Sequence, residues 1–313
     1  MKKERSVILL HTYTIKKHYG QNIIECVNII MINIENEYRG LVSGILGSGV
    51  DKDDRTGVGT KSVFGRQLVH NMALGFPLLT NKKMYFNSAR TELLWILHGK
   101  TDMKYLQDNN VTYWDADYKR SGRTDGTLGP VYGAQWRNWK VINWDIISIY
   151  EDQLFNLVKN IKENPSSRRL MINAWNVGQL KDMALPPCHY AFQVYINDGK
   201  MDLMWMQRSA DVFLGLPYDI AMYGLLLELL CKETDYTPGK LIAQLGDCHI
   251  YKNHIDAANC YAYRKETNDL PDLDLQRGID IIDNELYIPS KELITISNYN
   301  PLPAIPAKLN VGK

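Results

Sequence analysis

The chain has 313 residues, of which 45% are hydrophobic and 10% aromatic, so it can bury a sizeable core. Its 36 basic and 35 acidic residues are interspersed and leave a formal net charge of +1, which gives no global field for a nucleic-acid polymer or an anionic membrane. Five cysteines without paired CxxC spacing disfavour a disulfide framework and a zinc site. We therefore expect a cytoplasmic protein without a membrane segment or a metal ion, in which any anion site is local.

The predicted elements start after residues 1–32, a mixed apolar and basic stretch that we interpret as an extension of unclear role. Hydrophobic spacing predicts helices over 34–46, 88–97, 147–162 and 219–232. Partial alternation predicts strands over 169–174, 190–195 and 201–206, with Asp198 and Gly199 in a hairpin turn. No linker, repeat or low-complexity run follows residue 50. We predict one large α+β domain over 33–313, with a mixed β-sheet and flanking helices.

A cysteine follows two prolines in the run LPPCH at 185–189. A thiolate is a strong nucleophile when nearby cations lower the pKa of its thiol, and the prolines would fix the attack geometry of Cys188. A buried, inert cysteine explains this pentapeptide equally well. The run alone therefore leaves a nucleophile and a core residue as open alternatives.

Arginines recur in three polar segments, at Arg55, at the pair Arg168 and Arg169, and at Arg208 beside Ser209. Neither GxGxxG nor GxxxxGK[ST] occurs, so a mononucleotide would have to be held by side chains. Guanidinium forks bind phosphate through two hydrogen bonds, and together they would also lower the pKa of the Cys188 thiol. Each arginine alone is more often a surface charge or part of a structural ion pair.

Further polar side chains interrupt apolar sequence. One set comprises Asp211, Asp219, His249, Tyr251 and Asn253. Such groups need partners, which a base edge, a sugar hydroxyl or an internal network would supply. Glu92 lies within the apolar helix predicted over 88–97, where a buried carboxylate would have a shifted pKa and a role in proton transfer. A glutamate at the boundary between helix and solvent is the alternative.

Seven ordered motifs closely resemble the thymidylate synthase family, and the resemblance extends from about residue 33 to the C-terminus. They are DRTGVGT at 54–60, ELLWILHGKTD at 92–102, LGPVYGAQWR at 128–137, SRRLMINAWN at 167–176, ALPPCH at 184–189, QRSADVFLGLP at 207–217 and LGDCHIYKNH at 245–254. The resemblance implies a single-domain thymidylate-synthase-like fold, a homodimer that associates sheet to sheet, and 5,10-methylenetetrahydrofolate as co-substrate. It also implies a pyrimidine deoxynucleoside monophosphate as acceptor of the one-carbon unit.

The same resemblance implies roles for individual residues. Cys188 would attack C6 of the pyrimidine, which makes C5 nucleophilic. Arg55, Arg208 and Ser209 would hold the phosphate, with Arg208 also supporting catalysis, and Arg168 and Arg169 would reach across from a second subunit. Glu92, Tyr132 and His189 match a proton relay through water, and His249 and Tyr251 match positions that bind the ribose 3′-hydroxyl. Folate-contacting positions match Lys82, Trp114, Asp211 and Gly215.

One departure from the family concerns the base. The family usually has Phe-Asn-Ile-Ala-Ser-Tyr after the GLP turn, where the asparagine accepts from N3–H of uracil and donates to O4. Here residues 218–223 read YDIAMY, which places Asp219 at the asparagine position. An ionised carboxylate cannot donate to O4, whereas it can accept from the N4 amino group of cytosine. In this residue the chain resembles deoxycytidylate hydroxymethylases.

A second departure concerns the product. The family typically ends in Ala-Val, whereas this chain ends in KLNVGK at 308–313, and Asp117 stands where many members have a second tryptophan near Trp114. Both changes suggest a wetter site. If water reaches the transferred carbon before hydride does, the product is hydroxymethyl; otherwise it is methyl.

The leading hypothesis is a homodimeric folate-dependent transferase that acts on dCMP, with hydroxymethylation preferred to methylation. An ordinary thymidylate synthase that converts dUMP to dTMP is the alternative within the family. From other classes, we keep open an inactive nucleotide-binding or RNA-binding homologue, which would need no nucleophile, and a cysteine hydrolase using Cys188 and His189. Turnover with a nucleotide and folate discriminates the enzyme from the binder.

Overall fold

The computed structural model describes residues 33–142, 148–264 and 268–310, which belong to one compact unit. Its first element is helix α1 (Ile34–Ser48), which begins where the Asn33 side chain accepts from the backbone N–H of Glu35. The helix buries an apolar face that includes Tyr38, Val42 and Ile45, as its spacing predicts. The predicted extension over 1–32 lies outside the described residues.

A six-stranded mixed sheet forms the centre of the fold. In chain order its strands and one separate hairpin are β1 (Val50–Lys52), β2 (Thr60–Asn71), the hairpin strands β3 (Trp139–Ile142) and β4 (Ser148–Glu151), β5 (Met171–Asn173), β6 (His189–Asn197), β7 (Lys200–Asp211) and β8 (Thr237–Tyr251). The sheet order is β1-β2-β8-β7-β6-β5, and its pairs are antiparallel except the parallel pair β7 and β8. The α+β class and the mixed sheet were predicted; the long strands β2 and β8 were not.

The other helices flank this sheet. They are α2 (Phe86–Leu97), α3 (Met103–Asp108), α4 (Asp115–Arg120), α5 (Tyr132–Arg137), α6 (Gln153–Glu163), α7 (Leu216–Cys231) and α8 (Ile255–Tyr263). Helix α7 connects the parallel strands β7 and β8 and is buried on almost all sides, which explains its nearly continuous apolar sequence. Toward the C-terminus, β9 (Asp272–Leu275) pairs with β12 (Ile294–Ser297), and β10 (Asp280–Ile282) pairs with β11 (Glu285–Tyr287).

The helix predicted over 147–162 is wrong in its first part. Residue 147 lies outside the described residues, and Ser148–Glu151 is strand β4, which pairs antiparallel with β3. Helix α6 begins only at Gln153, because the Asp152 side chain accepts from the backbone N–H of Phe155 and caps the helix there. The apolar spacing of residues 147–162 thus predicted a single helix where the chain forms a strand followed by a helix.

The two faces of the sheet differ in burial. One row in register across five strands, comprising Ile172, Phe192, Trp205, Ala243 and Leu68, is buried under the helices. The neighbouring row on the opposite face comprises Met171, Gln193, Met204, Ile242 and Val69, and its side chains are half-buried or exposed in the single chain. This open face is partly apolar, which is unusual for a sheet facing water.

A buried carboxylate on α1 forms hydrogen bonds that connect this helix to the rest of the domain. Glu35 is 1% exposed and accepts from Thr80 N, Thr80 Oγ1, Asn81 N and Tyr261 Oη. Replacing a carboxylate with a methyl group leaves these donors without their acceptor, so Glu35→Ala should lower the free energy of unfolding by about 3 kcal/mol. Urea denaturation measures this loss. Glu37→Ala on the same helix is the control, and equal losses in the two variants would contradict the anchoring role.

Candidate active site

A cavity of about 690 Å³ lies where β7 ends and α7 begins, against the end of β8. This volume is in the range of pockets that bind small molecules and cofactors. The proposed site residues that line it are Arg55, Glu92, Trp114, Tyr132, Cys188, His189, Arg208, Ser209, Asp211, Gly215, Asp219, His249 and Tyr251. The fold thus collects into one cavity residues that lie far apart in the sequence.

Cys188 stands at the entrance to β6, on a loop that is fixed from two sides. Its backbone N–H donates to Tyr132 Oη over 2.9 Å, and its carbonyl oxygen accepts from the backbone N–H of Arg208 over 2.9 Å. The Arg208 guanidinium donates to the carbonyl oxygens of Pro187 and Pro186, each over 2.9 Å. These contacts fix the backbone that carries the thiol at the cavity wall, which favours a defined attack position.

The arginines lower the pKa of this thiol, as expected, but burial outweighs their effect in the free protein. Burial raises the pKa of Cys188 to about 11, and the opposing effects of Arg208 and Arg55 are smaller. Asp219 and Asp117 raise it further. The resting thiol is therefore protonated at neutral pH, and the reaction must remove its proton when substrate is bound.

Three of the proposed phosphate ligands face the cavity, namely Arg55, Arg208 and Ser209. The Arg208 guanidinium also lies over the Trp175 ring, 5.3 Å from its centroid, which restricts its position further. Arg168 and Arg169 are not among the lining residues and are exposed on the approach to β5. A single chain therefore brings together only part of the predicted phosphate site.

Glu92 lies on α2 with both carboxylate oxygens engaged. It accepts from Tyr113 Oη over 2.5 Å and from Trp114 Nε1 over 2.8 Å. Burial raises the pKa of Glu92, and these two hydrogen bonds oppose the shift. Burial with a shifted pKa is one of the two alternatives that the sequence left open for Glu92. The sequence did not reveal Tyr113, whose contact depends on the packing of the 109–114 segment against α2.

Tyr132 and His189 form a stacked pair beside the thiol. Their ring centroids are 4.3 Å apart with an interplanar angle of 16°. Because Tyr132 Oη accepts from the Cys188 backbone, its own hydrogen is left for another partner. Burial lowers the pKa of His189 to about 3, so its ring is neutral at physiological pH, and Nδ1 lies 2.9 Å from Tyr223 Oη. Both groups can relay protons without carrying a permanent charge.

Asp219 projects from the first turn of α7 into the same cavity. Its Oδ2 accepts from Gln207 Nε2 over 2.8 Å, and its Oδ1 lies 4.0 Å from His189 Nε2. Burial raises the pKa of Asp219 to about 7; Gln207 lowers it, and Glu92 and Asp211 raise it. The side chain therefore changes between acceptor-only and donor forms near neutral pH. Gln207 was missed by sequence reasoning, although it begins the motif at 207–217.

The end of β8 supplies two further lining residues, His249 and Tyr251, whose rings meet edge to face at 5.3 Å. His249 Nδ1 lies 3.3 Å from Asp247 Oδ1, and this hydrogen bond is the main cause that holds the pKa of Asp247 at about 2. Lys52 also binds Asp247 over 2.6 Å. His249 and Tyr251 thus add an imidazole and a phenol hydroxyl group to the residues that line the cavity.

The turn before α7 forms an aromatic and apolar part of the wall. Leu214 and Tyr218 line the cavity there, as Trp114 does, and such apolar and aromatic side chains can pack against a flat ring system. Asp211 Oδ1 accepts from the backbone N–H groups of Phe213 and Leu214, so it also fixes the turn.

Lys82 was expected to contact folate, but it is 5% exposed and does not line the cavity. Its ammonium donates to the Phe213 carbonyl and lies 4.1 Å from the Phe213 ring centroid. Burial lowers the pKa of Lys82 to about 8.

The C-terminal segment reaches this cavity as well, through Ala307, Leu309 and Asn310. Asn310 exchanges two hydrogen bonds with Asn253, of 3.1 and 2.9 Å. His254 Nε2 lies 2.7 Å from the carbonyl oxygen of Lys308. Asn253 is thus satisfied by an internal contact, the alternative left open for it. Residues 311–313 lie outside the described residues.

The family model for thymidylate synthase matches residues 36–311, which is most of the chain. The chain belongs to the thymidylate synthase family. Thymidylate synthases transfer a methyl group to C5 of a pyrimidine nucleotide with methylenetetrahydrofolate as donor, which makes this chain a folate-dependent transferase of nucleotide biosynthesis. The cysteine at the cavity and the aromatic wall for a flat co-substrate fit that chemistry.

Among the described residues, no helix is both long and apolar enough to cross a membrane. No cluster of three or more His, Cys, Asp or Glu side chains there is arranged to hold a metal ion.

Proposed function

We propose that this member of the thymidylate synthase family transfers its one-carbon unit to dCMP. The observation that carries the proposal is the environment of Asp219, which lines the cavity and accepts from Gln207 through Oδ2, so that Oδ1 is the oxygen proposed to meet the base. This oxygen can accept a hydrogen bond from the N4 amino group of cytosine. An ionised Asp219 opposite O4 of uracil would place two acceptors together in a buried site.

The second candidate is an ordinary synthase acting on dUMP. Burial raises the pKa of Asp219 to about 7, so part of the protein carries a neutral carboxyl group at physiological pH. That form has an O–H donor for O4 of uracil. The two candidates therefore differ in the protonation state of one side chain.

Cys188 is proposed as the nucleophile. Its sulfur would bond to C6 as its proton leaves, and the C5=C6 electrons would move onto C5, which then bonds to the one-carbon unit. Arg55, Arg208 and Ser209 would bind the phosphate, and His249 and Tyr251 the 3′-hydroxyl. Methylenetetrahydrofolate, when bound against the wall of Trp114, Leu214 and Tyr218, supplies the carbon at the oxidation level of formaldehyde. Release of the C5 proton and then of the thiolate would restore the protein.

The proposed relay consists of Glu92, Tyr132 and His189. Glu92, whose pKa is raised by burial, can accept and return a proton. Tyr132 has a hydroxyl hydrogen available beside Cys188. The hydrogen bond between His189 and Tyr223 fixes the imidazole in position. Water between these groups would carry protons to and from the base.

A homodimer is part of the proposal. The open face of the sheet, with Met171, Met204 and Ile242 in one row, offers a partly apolar surface for a second copy. Arg168 and Arg169 are exposed at the same edge strand, β5, where they are free to reach a partner. Association sheet to sheet would bury the apolar row and complete the phosphate site.

We propose 5-hydroxymethyl-dCMP as the product. Asp117 lines the cavity together with Trp114 and is ion-paired with Arg120 over 2.8 Å, and this polar group would hold water near the transferred carbon. Water would add to that carbon in place of hydride, and folate would leave as tetrahydrofolate. Reduction by hydride would instead give 5-methyl-dCMP and dihydrofolate.

The deciding experiment incubates the protein with methylenetetrahydrofolate and either dCMP or dUMP. Product masses identify the nucleotide, and absorbance reports dihydrofolate. We expect hydroxymethyl-dCMP without dihydrofolate. Formation of methyl-dCMP with dihydrofolate would support dCMP as the substrate but contradict the proposed hydroxymethyl product. Faster formation of dTMP would contradict the assignment of dCMP as the substrate. No turnover with either nucleotide would support the binding-protein alternative.

A further inference from the structure

The buried side of strand β7 places Trp205 and Gln207 two residues apart on one face. Trp205 is 1% exposed and Gln207 is 3% exposed. The Trp205 indole N–H donates to Gln207 Oε1 over 3.1 Å. Since an indole nitrogen only donates, this contact determines which end of the Gln207 amide faces it.

The hydrogen bonds of the amide nitrogen of Gln207 support the same orientation. Gln207 Nε2 donates to Asp219 Oδ2 over 2.8 Å and to the carbonyl oxygen of Ser209 over 3.2 Å. Both hydrogens of the amide are therefore used, and its oxygen is held away from the base position. Gln207 can act toward Asp219 only as a donor.

Trp205 is itself held rigidly. Its ring stacks on Tyr223 of α7, with centroids 5.0 Å apart and an interplanar angle of 7°. Tyr223 Oη lies 2.9 Å from His189 Nδ1, and His189 Nε2 lies 4.0 Å from Asp219 Oδ1. Trp205 is thus connected to Asp219 by two routes, one through Gln207 and one through Tyr223 and His189. Neither Trp205 nor Tyr223 lines the cavity.

We infer that Trp205 is a positioning residue that sets the preference for cytosine over uracil, by locking the Gln207 amide so that Asp219 stays a hydrogen-bond acceptor. The inference rests on the proposed use of dCMP. Without the indole N–H, the amide can turn and present Oε1 to Asp219. An oxygen there favours the protonated carboxyl group, because two facing acceptors repel. Protonated Asp219 tolerates uracil.

The test compares Trp205→Phe with the unmodified protein. Phenylalanine keeps an aromatic ring on Tyr223 and removes the donor. The ratio of kcat/KM for dCMP to that for dUMP should fall about tenfold, the equivalent of one hydrogen bond. The acidic limb of the dCMP rate profile should also move to higher pH, because a carboxylate that loses a donor holds its proton more tightly. The variant keeps the other titratable groups that interact with Asp219, namely Glu92, His189, Asp211, Cys188, Tyr113, Tyr132 and Tyr223.

Trp95→Phe is the matched control. Trp95 is also fully buried, and its indole N–H donates to the carbonyl oxygen of Asp102 over 2.9 Å. This variant loses an equivalent hydrogen bond elsewhere, so it should leave the nucleotide ratio and the pH profile unchanged. A similar fall of the ratio in both variants would show a general loss of packing and would overturn the inference.

The unmodified protein reports on the proposed function by itself. If the unmodified protein prefers dCMP and Trp205→Phe keeps that preference in full, the inference about Trp205 is wrong and the proposed use of dCMP is supported. If the unmodified protein prefers dUMP, both are wrong. Should Trp205→Phe fail to fold, Gln207→Glu decides: Trp205 would hold one carboxyl oxygen and the other would face Asp219, so the ratio should fall at least about tenfold. An unchanged ratio in Gln207→Glu overturns the inference.

Discussion

Cys188→Ser should lower the turnover number by at least about 10⁴-fold, because a serine hydroxyl is a far poorer nucleophile toward C6 than a thiolate. The affinity for the nucleotide should change little, since Arg55, Arg208 and Ser209 are untouched. Single-turnover assays measure the first effect and equilibrium dialysis with labelled dCMP the second. Mass spectrometry of the acid-quenched parent protein should detect a protein-nucleotide adduct that the variant lacks.

Cys260→Ser is the control for this variant, because Cys260 is an exposed free cysteine on α8 and does not line the cavity. We expect it to retain parental turnover. Turnover of Cys188→Ser close to that of the parent would show that the covalent route is wrong, whatever the nucleotide. Loss of both binding and turnover would point to a structural role for the thiol in the 185–189 loop.

Asp219→Asn should reverse the nucleotide preference. The asparagine oxygen can accept from Gln207 as the carboxylate does, and its amide nitrogen then presents a donor to O4 of uracil. A buried asparagine would complement the hydrogen-bonding groups of uracil at N3 and O4, whereas it would face like groups at N3 and N4 of cytosine, so it should discriminate strongly between the two bases. The ratio of kcat/KM for dCMP to that for dUMP should therefore fall by about 10² to 10⁴.

The pH dependence of the nucleotide preference shows whether protonation of Asp219 controls which base is accepted. Burial raises the pKa of Asp219 to about 7, so the neutral form, which can donate to O4, grows as pH falls through 7. In the parent, turnover of dUMP relative to dCMP should rise in that interval. In Asp219→Asn the relative rate should be flat, since an amide does not titrate. A flat ratio in the parent would contradict titration of Asp219 at this site.

Asp117→Asn provides the matched control, because Asp117 also lines the cavity as a carboxylate and is ion-paired with Arg120. It should leave the nucleotide preference unchanged while Asp219→Asn alters it. An equal shift of preference in both variants would indicate a general effect of cavity charge, and the assignment of Asp219 to the base would then be wrong.

The mixed architecture could be predicted because its signals are local. The spacing of apolar residues gives α1 and α2, and Asp198 and Gly199 adopt the positive φ angles of the turn between β6 and β7. The 147–162 segment was misassigned because β4 is stabilised by pairing with β3, a contact that periodicity does not encode.

The sequence by itself determined the family and the chemical groups of the site, because the motifs around Cys188, Arg208 and His249 are contiguous runs. It also singled out Asp219, whose residue type fixes what it can accept or donate. The tertiary structure alone decided how those groups are oriented. Gln207 meets Asp219, and Tyr113 meets Glu92, only because strand β7 packs on α7 and the 109–114 segment packs on α2. The pKa of Cys188 likewise depends on burial, which outweighs the neighbouring arginines and depends on the packing of the whole cavity wall.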